Sequence, residues 1–365
     1  MNIHGNETMM VTANNYVNNI DINNLGINPA PEGTVIFPKI GAAIATNKKR
    51  LLSRPSAYDN NVMGLIPKED IKSRFLFFWM QTIDLSSLAH DSGAVPSIRK
   101  SVIEAFEIPI PCPDNPEKSL AIQAEIVRVL DAFTELTAEL TAELTARRKQ
   151  YKHYRDKLLT FDGGDVEFQP LGEVAEYSNT RISFDQLDKS NYVGVDNLLQ
   201  DRGGKVESSH VPTSGNLTEY QKGDVLIGNI RPYLRKIWFA DGNGGTNGDV
   251  LVIHRTDNNI DSRYLYQVLA DEKFFIYNMK HAKGAKMPRG SKPQILLYPI
   301  PIPCPNNSQK SLAEQARIVA ILDKFDALTT SLTEGLPCEI DLRQKQYAYY
   351  RDLLLDFPKP AREAA

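Results

Sequence analysis

The chain has 365 residues, with 42 Lys and Arg against 45 Asp and Glu, and a formal net charge of −3. A hydrophobic share of 42% beside 24% charged residues suits a folded chain long enough for two cores, and it excludes a disordered acidic chain and a general polyanion binder. Three cysteines form no Cys-x-x-Cys pair or disulfide framework, no apolar run approaches the roughly 20 residues of a membrane helix, and the Asn-rich start lacks the marks of a signal peptide. These features read as a soluble, cytoplasmic protein.

In chain order, residues 1–107 mix short β-like runs at 34–37 and 61–66 with an aromatic helix candidate at 75–80, punctuated by Pro31, Gly33, Pro38 and Gly41. A linker and long helix follow over 108–165, a second globule over 166–299, a second linker and helix over 300–358, and a tail over 359–365. The linker and helix are written twice. Ile108-Pro109-Ile110-Pro111-Cys112-Pro113, Lys118-Ser119-Leu120-Ala121 and Leu130-Asp131-Ala132-Phe133 return as Ile300-Pro301-Ile302-Pro303-Cys304-Pro305, Lys310-Ser311-Leu312-Ala313 and Leu322-Asp323-Lys324-Phe325. Further on, Lys149-Gln150-Tyr151 and Tyr154-Arg155-Asp156 return as Lys345-Gln346-Tyr347 and Tyr350-Arg351-Asp352.

The globules repeat more loosely. Lys222-Gly223-Asp224-Val225 parallels Glu32-Gly33-Thr34-Val35, and Ser262-Arg263-Tyr264-Leu265 parallels Ser73-Arg74-Phe75-Leu76, whereas 168–177 has no counterpart in the first half. Helices kept alike between globules that drift imply one shared task for the helices and two versions of another for the globules.

Pro116 suits a first helical position, and Ser311-Leu312-Ala313-Glu314 reads as a capping box opening the second copy. The Thr-Ala-Glu-Leu tetrads place Leu136, Leu140 and Leu144 in one stripe, for which Leu328 and Leu332 of the other copy are the expected partners. Gly335-Leu336-Pro337 is expected to break or kink the second helix. The expected fold is α+β, two globules alternating with two long helices that pack as an antiparallel coiled coil with pseudo-two-fold symmetry.

Catalytic motifs are weak. Asn229-Ile230-Arg231-Pro232-Tyr233 has the wrong spacing for a methyltransferase Asn-Pro-Pro-Tyr loop, no phosphate loop exists, and the six histidines have no metal-ligand spacing. Basic clusters remain: Lys39, Lys48, Lys49, Arg50, Arg99 and Lys100 in the first globule, and Arg231, Tyr233, Arg235, Lys236, Lys283, Lys286 and Arg289 in the second. Any one of them fits a solvated surface as well as a DNA contact. Two of them occur at corresponding places, Arg99-Lys100 matching the region from Arg289 to Lys292 just before the Ile-Pro-Ile-Pro stretch of each half, which favours DNA.

Together the alternation of unlike globules with repeated helices, the Ile-Pro-x-Pro lead-in, Ser311-Leu312-Ala313-Glu314-Gln315-Ala316, the Thr-Ala-Glu-Leu tetrads, Lys-Gln-Tyr and Tyr-Arg-Asp resemble the specificity subunit of type I restriction-modification enzymes. The resemblance covers nearly the whole chain. It implies a non-catalytic subunit whose globules are target-recognition domains for a bipartite site in double-stranded DNA, with helices that space them and dock methyltransferase (modification) and restriction-translocase subunits. S-adenosylmethionine, ATP and Mg would then sit on those partners and no cofactor on this chain. The alternative is a coiled-coil scaffold joining two globules that bind ligands other than DNA.

Overall fold

The computed structural model describes residues 8–358 apart from 14, 25, 91–94, 162–164 and 332–333. The expected stripe partner Leu332 and the tail 359–365 lie outside the described residues. The chain divides into two compact units, one of 1–139 with 342–365 and one of 140–341.

In the first unit, a four-stranded sheet runs in the order Met9–Met10, Arg50–Leu52, Val35–Pro38, Val62–Leu65. The helix Ser73–Gln81 covers it, with every residue from Phe75 to Met80 buried. The core extends beyond the globule, because Ile126 and Leu130 of the helix Pro116–Thr160 and Leu355 of the helix Gly335–Leu355 are buried in the same cluster. Arg74 of the covering helix donates through Nε to Asp131 at 3.0 Å, and Phe133 stacks on Tyr350 with centroids 5.4 Å apart.

The second unit repeats this plan with additions. Its sheet runs Ile237–Phe239, Val225–Gly228, Val250–Arg255, Ala175–Tyr177. The registers agree between globules: Val225 faces Ile253 and Phe239 as Val35 faces Leu65 and Leu51. Arg263 donates through Nε to Asp323 at 2.9 Å, and Phe325 stacks on Tyr154 at 5.6 Å, the counterparts of Arg74 on Asp131 and of Phe133 on Tyr350. A second sheet, Arg181–Ser183, Asn216–Tyr220, Gly244–Thr246, Tyr192–Val193, has no counterpart among the described residues of the first unit and was not legible in the sequence.

The stretch without a sequence counterpart supplies two strands. Val166–Pro170 pairs antiparallel with Pro299–Pro303, and Ala175–Tyr177 pairs with Val250–Arg255. Among the described residues of the first unit, the identical Ile108-Pro109-Ile110-Pro111 is not in a strand and Val62–Leu65 pairs with Val35–Pro38 alone. Sequence alone does not make the linker a strand; its neighbour does.

Helix ends follow from local chemistry. The first long helix begins at Pro116 and runs 45 residues, about 67 Å at 1.5 Å per residue. The second begins at Ser308, capped by Asn307, whose side chain accepts from the Lys310 N–H at 2.9 Å. This corrects the capping-box reading: Ser311 lies within the helix and its hydroxyl accepts from Gln315 Nε2 at 3.0 Å, while Glu314 pairs with Arg317. The second copy is interrupted after Thr330 and restarts at Gly335. Gly335 has φ +78° and no room for a Cβ, which would come within 2.3 Å of the Ala327 carbonyl.

Candidate nucleic-acid interface

Two loops in the second globule are joined by their backbones. One follows Val225–Gly228 and carries Asn229 to Lys236; the other is a hairpin closed by reciprocal bonds between Lys283 and Arg289, at 2.9 and 2.8 Å. Arg231 N–H donates to the Pro288 carbonyl at 2.8 Å, and Gly290 N–H donates to Asn229 at 3.1 Å. Strand-like bonding between segments some sixty residues apart gives one rigid platform rather than two mobile loops.

The first globule has the same ladder. Gly41 N–H donates to the Pro96 carbonyl at 2.8 Å, Ile98 N–H donates to Lys39 at 2.8 Å, and His90 bridges Ser97. Lys39, Gly41, Pro96, Ser97 and Ile98 thus stand where the second globule has Asn229, Arg231, Pro288, Arg289 and Gly290. Apart from the shared proline, one backbone frame displays a different side chain at each of these places.

The most informative exchange is Gly41 for Arg231. Both have left-handed backbone, at φ +78° and +53°. Glycine accepts that conformation freely, whereas a side chain there costs on the order of 1–2 kcal/mol. Arg231 bears this strain while its side chain is exposed and, among the described residues, forms no ion pair. Strain retained for an exposed guanidinium points to work outside the fold.

Tyr233 is also exposed, on a 3-10 turn anchored by buried Pro232. Lys283 and Lys286 are exposed, and neither forms an ion pair among the described residues. Arg289 pairs with Asp249 at 2.9 Å, and Arg235 pairs with Asp201 and Glu272, so their charges are partly used within the protein. Lys236 is half-buried and donates to the Val195 carbonyl at 2.5 Å; burial lowers its pKa.

In the first globule Arg99 and Lys100 are exposed at the start of the short helix Lys100–Glu104, where Lys100 pairs with Glu104 at 3.1 Å. Register aligns Lys100 with Lys292 and places Ser97, not Arg99, opposite Arg289. Lys39 and Lys48 are half-buried, and Arg50 donates to the Lys49 carbonyl at 2.7 Å.

Lys49 departs from the sequence expectation. It is fully buried, its ammonium donating to Asn47 Oδ1 at 2.7 Å and the Ile83 carbonyl at 2.5 Å, so it cannot reach a phosphate. Alternation explains this: Lys49 faces inward at the position that Ile237 fills in the other globule. Three consecutive basic residues are not a cluster in space.

Burial lowers the Lys49 pKa to about 8, against the opposing pull of Asp84. Its folded pKa lies below the unfolded value, so the unfolded chain binds more protons between about pH 8 and 10.5 and stability rises with pH through that window. Chemical denaturation at pH 7 and 9.5 should show a gain of about 2 kcal/mol in wild type that is absent in Lys49→Met. Equal pH dependence of the two proteins would contradict the assignment.

The proposed spacer leucines are mixed. Leu140, Leu144 and Leu328 are half-buried, but Leu136 is exposed, so the stripe is no dry core. Aromatic pairs hold the helices within each unit instead: Phe133 with Tyr350 in one, and Phe325 with both Tyr151 and Tyr154 in the other. Among the described residues, no group of His, Cys, Asp and Glu could hold a metal ion, and no helix is long and apolar enough to cross a membrane.

The two globules thus present unlike faces on a common backbone frame, and each globule packs on a copy of the repeated helix. A family model described as the type I restriction modification DNA specificity domain matches residues 3–147 and 164–342, and the chain belongs to that family. It is 35% identical over 304 residues to the EcoR124I/EcoR124II specificity subunit of Escherichia coli, spanning 79% of this chain and 71% of that one. It is 33% identical over 332 residues to the EcoprrI specificity subunit of Escherichia coli, spanning 84% and 76%. The fold is shared with the S subunit of the type I system from M. genitalium, with a TM-score of 0.53 over 92% of this chain and 85% of that chain at 17% identity. The role of the chain is DNA sequence specificity.

Proposed function

We propose that each globule reads one half of a bipartite site in double-stranded DNA through its two-loop platform, and that the repeated helices form an antiparallel, pseudo-two-fold coiled coil that fixes the gap between the halves. The helices also dock the modification and restriction subunits, on which S-adenosylmethionine, ATP and Mg are used. Bond-making belongs to those partners and recognition to this chain. The observation that carries the reading is Arg231, an exposed arginine held in left-handed backbone where the other globule has glycine. Support for the coiled coil comes from corresponding stacked rings, Phe133 on Tyr350 and Phe325 on Tyr154, each joining an earlier part of one copy to a later part of the other.

Arg231→Gly tests the reading because it separates folding from binding. The backbone conformation suits glycine, so stability should stay within about 1 kcal/mol of wild type. Affinity of the assembled complex for its site should fall at least tenfold, the value of a charge-assisted or bidentate contact. Unchanged affinity in the folded variant would refute the role.

Lys283 and Lys286 should act differently. Replacing both by Ala should weaken binding to all sequences alike and reduce the slope of log K against log salt by about 2, as expected for phosphate contacts. An unchanged slope in a salt titration would remove them from the interface, and a scaffold without a DNA role would show no steep slope at all.

A further inference from the structure

The two platforms share one feature that charge does not explain. Met287 is about 50% exposed, immediately before Pro288, and Val95 is about 54% exposed, immediately before Pro96. The backbone ladder equates the prolines, since Pro96 accepts from Gly41 N–H as Pro288 accepts from Arg231 N–H. Both globules therefore present an apolar side chain at the same place, although Gly41 and Arg231, Ser97 and Arg289, and His90 and Lys283 all differ around it.

Neither side chain serves its own core. Met287 and Val95 belong to none of the buried clusters, and the hairpin around Met287 is held by the Lys283 and Arg289 backbones. Gly284, at φ +99°, lets the chain pass the Met287 carbonyl, to which a Cβ would come within 3.2 Å. The fold thus holds the methionine outward on a fixed support.

Lys286 and Arg289 flank Met287, and exposed Arg231 adjoins Pro288 through its backbone. At Met287, an apolar group with cations on both sides does not suit an apolar protein partner, which would also have to cover those charges. It suits a polyanion carrying a small apolar mark. In the major groove of DNA the thymine C5-methyl is such a mark, and apolar side chains contact it. We propose that Met287 and Val95 are the thymine-methyl contacts of their respective half-sites; this rests on the reading of the platforms as DNA-binding surfaces.

The test uses the full chain assembled with its methyltransferase subunit and duplexes containing its own site, found first by mapping methylated positions. Each thymine is replaced singly by deoxyuridine, which removes only the methyl group. In the second half-site, at least one replacement should weaken wild-type binding about fourfold, the worth of one buried methyl. Met287→Ser should bind thymine and uracil duplexes equally at that position and keep the uracil penalty in the other half-site. Val95→Ser should do the reverse, and Met287→Leu should retain the wild-type penalty.

A penalty that persists in Met287→Ser would overturn the proposal. So would wild type that binds tightly with no uracil effect in that half-site, or a Met287→Ser loss equal for all sequences. Wild type that fails to bind its mapped site with a steep salt dependence would defeat the DNA reading itself, so the two failures are distinguishable.

Discussion

Deleting Thr141 to Leu144 should shorten the unread gap in the target by one to two base pairs while leaving both half-sites intact. One tetrad is about 6 Å of helix and about 40° of rotation, against roughly 3.4 Å per base step, so the leucine register survives while the distance changes. The boundary between the two compact units falls between Glu139 and Leu140, inside this array and outside both platforms. Sequencing methylated sites in cells carrying the variant and its methyltransferase gives the result directly. A changed half-site with an unchanged gap would refute the ruler.

Arg155→Ala should cost the second unit about 3–5 kcal/mol, the penalty of stranding a buried charge. Arg155 and Asp271 are 6% and 7% exposed and paired at 3.0 Å. The guanidinium also donates to Gln267 Oε1 at 2.8 Å, to Tyr151 Oη at 2.5 Å and to the Gln267 carbonyl. Removing it leaves the Asp271 carboxylate without its cation and three acceptors short of donors. Its counterpart Arg351 is 21% exposed, bonds neighbouring Asp352 and lies over the Tyr347 ring. There Phe78 and Thr82 stand where the other unit has Gln267 and Asp271, so Arg351→Ala should cost about 1 kcal/mol or less. Urea unfolding of the two variants checks this, and equal losses would disprove the contrast.

The repeated parts were the legible parts. Literal recurrence revealed the helices, the linkers and the pairing of globules, and Gly335 with Pro337 marked the break because their constraints are local. Ser311-x-x-Glu314 fits a general capping pattern without being the cap; the repeat holds the better signal, an asparagine three residues before Lys118 and again before Lys310. Lys49 is buried beside half-buried Lys48 and Arg50 because adjacency in sequence does not decide which face of a strand a residue takes. The basic residues of the platforms are legible in the sequence but their joining is not: bonds from Arg231 to Pro288 and from Gly41 to Pro96 link distant backbone groups, and backbone groups leave no mark in the sequence. The correspondence of Gly41 with Arg231 emerged only from register.

A pair of glutamines shows how such a molecule could change what it reads. Gln123 accepts from Lys72 N–H at 2.9 Å and donates to the Asp70 carbonyl at 2.9 Å; Gln315 accepts from Asp261 N–H at 2.8 Å and donates to the Asn259 carbonyl at 2.9 Å. Each clasp grips main chain, so it is indifferent to the side chains of whatever domain it holds. A foreign domain that brings the same turn would be gripped by the same glutamine, so this contact survives an exchange of domains even where a side-chain pair such as Arg155 with Asp271 belongs to one globule alone.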